Sequence, residues 1–321
     1  MKFFGKTQTH QKQASISASE AHRVWEKTRF RYLIVNNIIF YANYVHDIDF
    51  KYKLYKLKDS YLEEAKKLEK ELKNYALKSP EPNLSNIEVP NNSELISDKE
   101  IARTIQSLIQ LAVLKCVKVL DDAILNDDLR QVLLKITKDE INKYYDFVEY
   151  TKNKGWIENP PFYPHVKGNY IVTANEVWEL WNHLNYRYLH VHQTKVFRAH
   201  VADKDFQLLL SKGMNILAEQ IKKLENKLLE FGINLPAKHP LNFPEPESKQ
   251  NYDDKTTYAL LFNSMKNATV LHGYALHEII MNDKVMKLFR DLFFIELTLV
   301  DDLIRYGKIK GWVPLIPSYR E

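Results

Sequence analysis

The chain has 321 residues, 45% apolar and 27% charged, a globular balance that excludes a disordered polymer and allows a sizeable core. Forty-six basic residues against 41 acidic ones leave a net charge of +5, too interspersed for the basic stripe of a duplex binder, so no nucleic-acid partner is expected. The single cysteine, Cys116, excludes an internal disulfide and a Cys-rich metal site, and points to a reduced compartment.

The start, MKFFGKTQTHQKQ, lacks the apolar run of a secretory signal. The greasiest stretch, 292–300, falls short of the roughly 18 residues a membrane span requires, so neither a membrane partner nor a membrane location is expected. Eight glycines and twelve prolines, with abundant Lys, Glu and Leu, favour long helices over turn-rich sheets.

Aligned with itself, the chain shows one dominant offset of 156 residues, which sets 17–163 against 173–319 without a gap. Identical pairs include Glu20/Glu176, Trp25/Trp181, Tyr32/Tyr188, Asp47/Asp203, Asp98/Asp254, Asn126/Asn282, Glu140/Glu296 and Trp156/Trp312. The chain accordingly divides into a flexible arm over 1–16, a first unit over 17–167 and a second over 168–321.

Within each copy the pattern predicts four helices. The first opens on Ser17-Ala18-Ser19-Glu20 or Thr173-Ala174-Asn175-Glu176, both capping boxes, and runs to about His46 or Ala202. Asp47 or Asp203 caps a second helix, ending near Leu77 or at Gly232. A proline- and asparagine-rich segment, 78–97 or 234–253, is long for a compact domain. The third helix starts near Asp98 or Asp254, and Asn126 or Asn282 turns into the fourth. Short, long and short connections predict an all-α fold of two tandem four-helix bundles with ferritin-like topology, the long crossover lying between helices two and three. Val285, Phe289, Leu292, Leu299, Leu303 and Tyr306 form an apolar seam on the last helix. Trp25, Trp181, Tyr32 and Tyr188 read as core packing.

One carboxylate interrupts that seam in each copy, Glu140 and Glu296. In a core it must be paired, protonated or bound to metal. Pairing would use Arg31 and Arg187 of the first helices. Metal binding would want Glu-x-x-His on two helices, and no such motif occurs, so a complete di-metal site is not expected. His272 lies on an inward stripe of the second copy; with Glu296 and His183 it forms the metal set to consider, for iron or manganese, and a hydrogen-bonded core histidine is the competing reading. Phosphate-cradling glycine loops and nucleophile elbows are missing, and Cys116 sits in an apolar run, which argues against an enzyme. The mixed charges of helix two in the first copy read as a solvated face.

The copies end alike, in Lys154-Gly155-Trp156-Ile157-Glu158-Asn159-Pro160-Pro161 and Lys310-Gly311-Trp312-Val313-Pro314-Leu315-Ile316-Pro317. With the gapless duplication, these residues resemble a duplicated family of endospore-forming bacteria that is similar to spore coat protein F. The resemblance implies a ferritin-like fold and a spore-associated or cytoplasmic protein, with no reaction and no catalytic residues to carry over. Two functions stand as expectations. One is a non-catalytic structural or interaction protein with protein partners or self-association, as a homodimer, and no cofactor. The other is a degenerate ferritin-like metal protein or oxidase whose site lies in the second copy.

Overall fold

A computed structural model of the chain describes residues 15–82, 96–157, 161–164, 166–168, 170–238, 253–313 and 317–319. Among them are eight helices and no strand: α1 (Ala18–Ala42), α2 (Ile48–Asn74), α3 (Asp98–Asp122), α4 (Asp127–Asn153), α5 (Ala174–His200), α6 (Lys204–Glu230), α7 (Asp254–Glu278) and α8 (Asp283–Lys310). Residues 1–14 of the arm expected over 1–16 and most of the two long crossovers lie outside the described residues. Ile16, at the end of that arm, is buried.

Two compact units separate. Of the described residues, one unit holds α1 to α4 with the tail 317–319, and the other holds 161–313 with α5 to α8. Within each, the first helix packs on the second and third and the third on the fourth. Phe50 of α2 meeting Phe147 of α4, like Phe206 of α6 meeting Tyr306 of α8, closes the core across the second and fourth helices.

Helix starts are fixed by side chains that spare orphan amides a loss of hydrogen bonds. Ser17 and Thr173 accept from the amides of Glu20 and Glu176 in complete capping boxes. The same glutamates accept from the amides of Asn126 at 2.8 Å and Asn282 at 2.7 Å, which fastens the start of the fourth helix to the start of the first. Asp98 takes the amides of His46 and Asp47, as Asp254 takes those of Ala202 and Asp203. α1 stops at Ala42, short of the expected His46, and the chain turns beyond it so that the amides of His46 and Asp47 reach Asp98. A two-bond clamp secures each first helix. Pro317 and Ile16 carbonyls accept from Ala18 and Tyr319 in one unit, and Pro161 and Val172 carbonyls from Ala174 and Tyr163 in the other.

The Gly-Trp ends fold back inside each unit. Trp156 sits 5.0 Å from Phe50 between ring centres, and Trp312 sits 5.4 Å from Phe206, so the tryptophan seals the end of the core opened by the second helix. Lys154 and Lys310 reach the capping aspartates Asp47 and Asp203 at 2.6 Å. Tyr32 and Tyr188 are buried as the stripe reading expects. Trp25 is not: it is 37% exposed, one position round the helix from the buried Val24, with the Arg29 guanidinium 5.9 Å from its ring.

The second helices end differently in one atom. Ala76 follows α2 at φ 52°, where Gly232 follows α6 at φ 75°, and both accept the left-handed turn that lets Leu77 and Ile233 bond back to Leu72 and Leu228. A Cβ is disfavoured there by about 1 kcal/mol. Ala76→Gly is therefore expected to raise the unfolding free energy by roughly 1 kcal/mol in urea titration. Gly232→Ala should cost more than that gain, because its new Cβ would lie 2.7 Å from Lys167 Cγ.

Candidate functional site

The middle of each bundle carries polar residues from all four helices. In the first, α1 supplies Lys27 and Arg31, α2 Tyr61 and Glu64, α3 Cys116, and α4 Glu140 and Lys143. Arg31 is buried, with Nη2 2.5 Å from Glu140 Oε2 and Nε 2.9 Å from Glu64 Oε2. Tyr61 donates its hydroxyl to Glu140 Oε1 at 2.5 Å while its ring centre lies 5.0 Å from the Arg31 guanidinium. Lys143 pairs with Glu64, and the Lys27 ammonium donates to the Cys116 sulfur.

Three basic side chains share this core with two carboxylates. Burial alone would push Glu64 up, but the Arg31 and Lys143 charges outweigh it and hold Glu64 below the usual carboxylate range. For Arg31 burial works the other way, and Glu140 and Glu64 more than offset it, raising an already permanent charge. Lys27 is pulled down, first by burial and further by Arg31, despite the help of Cys116.

The second bundle keeps only part of this network. At the equivalent positions His183 replaces Lys27, Gln220 replaces Glu64, Leu217 replaces Tyr61, His272 replaces Cys116 and Leu299 replaces Lys143, while Arg187 and Glu296 remain. Arg187 Nε donates to Gln220 Oε1 at 3.1 Å, and Nη2 lies 2.7 Å from His272 Nε2. Because a guanidinium only donates, His272 Nε2 accepts, its proton sits on Nδ1, and the ring is neutral. Burial, then Arg187, holds His272 well below its ordinary value. Burial lowers His183 too, against Glu179, whose carbonyl and carboxylate lie 3.0 and 3.1 Å from Nδ1. Glu296 is 3.8 Å from Arg187, a looser pair than Arg31 with Glu140, and burial raises it.

A cavity of about 90 Å³ opens beside this weaker core, walled by Leu209, Leu217, Met265 and Leu299 and by the polar Arg187, Gln220 and Glu296. Arg187 Nη1 and Gln220 Nε2 are buried without a hydrogen-bond partner.

Glu140 and Arg31 are thus in contact, and Glu296 and Arg187 face each other at 3.8 Å. His272 and His183 come together, with ring centres 4.8 Å apart, but His183 is turned to Glu179 and Arg187 bonds to His272 while facing Glu296. A permanent cation holding His272 Nε2 and facing Glu296 leaves them no shared place for a metal ion, so this donor set does not fit iron or manganese. Among the described residues no three His, Cys, Asp or Glu side chains gather as a metal site would need. Tyr61, Lys143 and Lys27 escape the sequence reading as members of the first core. Their signal is a polar residue opposite an apolar or shorter one at the offset of 156.

The family model of DUF3231, described as "Protein of unknown function", matches residues 4–169 and again 165–320. The chain belongs to that family. Both DUF3231 repeats therefore contain a complete four-helix set. A crystal structure of a provisionally assigned spore coat protein from Bacillus halodurans C-125 is similar, at 17% identity over 46% of this chain and 94% of that one, with a TM-score of 0.39. No curated protein matches. No described helix is long and apolar enough to cross a membrane.

The unequal cores respond differently to loss of charge. Glu140→Gln leaves Arg31 undercompensated in a dry site and is expected to cost about 3 kcal/mol of unfolding free energy. Glu296→Gln removes a loosely paired buried carboxylate and should change stability by less than about 1 kcal/mol by the same denaturation measurement.

Histidine burial also sets a pH dependence. The unfolded chain takes up protons near the ordinary histidine value of 6.5, which folded His272 and His183 refuse, so their contribution is present above that value and lost as pH falls through their folded values. Glu296 acts in the opposite sense, its contribution complete below its ordinary 4.5 and fading as pH climbs. Denaturation midpoints of the wild type are expected to fall from pH 6.5 downward, more steeply than those of a His183→Gln/His272→Gln variant.

Proposed function

We propose that this is a non-catalytic structural or interaction protein, spore-associated, built from two duplicated bundles of ferritin-like connectivity. The connectivity reading rests on links of unequal length, 43–47 and 123–126 being short and 75–97 long, with the same order in the second copy. The spore assignment rests on the resemblance carried by the duplicated Gly-Trp ends. Self-association as a homodimer belongs to the same reading.

One observation carries it. In both bundles the place where a ferritin-like interior would gather metal ligands is taken by a buried arginine, Arg31 or Arg187, which draws the nearby carboxylate or histidine to itself. A core neutralised in this way acts as a packing device, in which an arginine rather than a metal ion answers the buried carboxylate.

The competing reading, an oxidase or metal protein holding iron or manganese on His272, Glu296 and His183, requires Arg187 to leave the core. Aerobic incubation of purified protein with Fe(II) or Mn(II), followed by desalting and elemental analysis, separates the two. Substoichiometric metal, no oxygen uptake above the buffer rate and a scattering mass of twice 37.9 kDa are expected. Stoichiometric metal with turnover would overturn the proposal.

A further inference from the structure

The two bundles differ at one place in a way that leaves a hole in the second. In the first, the Tyr61 side chain fills the space between α2 and the polar centre, its hydroxyl on Glu140 and its ring against Arg31. In the second, Leu217 stands at the position of Tyr61, Gly213 at that of Leu57 and Leu303 at that of Phe147. Each replacement is smaller. The two groups that receive the phenol are retained as Arg187 and Glu296, and both line the cavity of about 90 Å³ together with Leu217 and Gly213.

Gly213 is the informative substitution. It lies inside α6, where glycine is among the least favourable residues, and it does not have the positive φ that would call for one. A Cβ built on it would meet nothing within 4 Å. Neither backbone geometry nor crowding requires a glycine here, so what it supplies is room next to Leu217.

The polar side of that room is left incomplete. Arg187 is 2% and Gln220 1% exposed, yet Arg187 Nη1 and Gln220 Nε2 have no partner. Among the described residues, Glu296 makes one ion pair, with Arg187 at 3.8 Å, where Glu140 has a guanidinium and a phenol hydroxyl each at 2.5 Å; the Tyr186 phenol, which also lines the cavity, donates to the Ser264 carbonyl instead. Buried donors and acceptors without partners are costly, and a ligand that pairs with them is stabilised accordingly.

We infer that the second bundle binds a small phenol, its hydroxyl donating to Glu296 and its ring lying against the Arg187 guanidinium, in the position that Tyr61 occupies in the first bundle. The chemistry selects this class. An aliphatic carboxylate would serve the free donors but set a second acid beside Glu296, whereas a phenol hydroxyl donates to Glu296, offers its oxygen to the unpartnered Gln220 Nε2, and brings a π face for the cation. An aromatic hydrocarbon fills the apolar walls but leaves Glu296 unserved. The space is not sealed, because Gly213, Leu217 and Met265 are only half-buried, so a ring can enter between α6 and α7 and a substituent opposite the hydroxyl can project outward. Such binding goes beyond the non-catalytic reading and does not depend on it, since no bond is made or broken.

The test uses the full chain and p-cresol, which is the tyrosine side chain freed from its backbone, titrated by calorimetry with toluene and butyrate as controls. One saturable site per chain is expected for p-cresol, with toluene about tenfold weaker or worse because it cannot satisfy Glu296, and with no measurable butyrate binding. Leu217→Tyr rebuilds the first bundle's plug and should abolish p-cresol binding while raising the thermal midpoint. Should that variant fail to fold, Glu296→Gln decides: it is expected to weaken p-cresol about tenfold and leave toluene unchanged. Failure of p-cresol to saturate, toluene binding as tightly as p-cresol, butyrate binding in preference, or unaltered p-cresol binding in folded Leu217→Tyr would each overturn the inference, and none of them would touch the metal experiment.

Discussion

A guanidinium buried at the centre of a helical bundle has to be compensated from the surrounding helices, and this requirement organises each half of the molecule. Arg31 and Arg187 come from the first helix of their units, are almost wholly inaccessible, and find partners on the other helices. Because an arginine cannot shed its charge, the surroundings must bend to it. In the first unit they do so with two carboxylates and a tyrosine, with the amines of Lys143 and Lys27 close by. In the second the same charge is met by one distant carboxylate, an amide and a neutral imidazole.

That difference divides the work between the copies. The first interior sets Arg31 against two carboxylates and packs the Tyr61 ring beside it. The second has lost bulk at Gly213 and Leu217 and lost charge at Gln220 and Leu299, and the physical consequence is a cavity with unpartnered donors. A protein interior resists voids because their lining forfeits contacts on one side, and it resists unpaired polar atoms more strongly still. Both penalties fall on the same few residues of the second bundle, which is why those residues, rather than the well-packed seam of α8, attract a functional reading.

Apart from the buried Arg31/Arg187 and Glu140/Glu296 pairs, a distinct set of residues identical between the copies stands where helices begin and end. Glu20 and Glu176, Asp47 and Asp203, Asp98 and Asp254, and Asn126 and Asn282 all hold backbone amides at helix starts, while Trp156 and Trp312 seal the core at the end where the second helix begins. Loop junctions have few acceptable solutions, since each orphan amide needs an acceptor at a set place. Core volume can be redistributed among neighbours, so the interiors were free to diverge while the corners were not.

Much of the architecture was legible in the sequence because it is local. Helical periodicity, capping boxes and the offset of 156 depend on neighbours a few residues apart or on self-comparison, and the eight helices fall where those signals put them, apart from the early stop of α1. Trp25 was misjudged because one position of rotation on a helix separates core from surface. Glu140, Glu296 and His272 were visible as polar residues on apolar stripes. Which groups answer them was not, because Tyr61, Lys143 and Glu179 become partners only through distances between side chains on packed helices. By itself the sequence determined that the chain is a doubled helical unit with a charged residue buried in each copy. Only tertiary packing decided that the first charge is fully answered and the second is left beside an empty space, since pairing and volume are properties of four helices meeting at one point and of none of them alone.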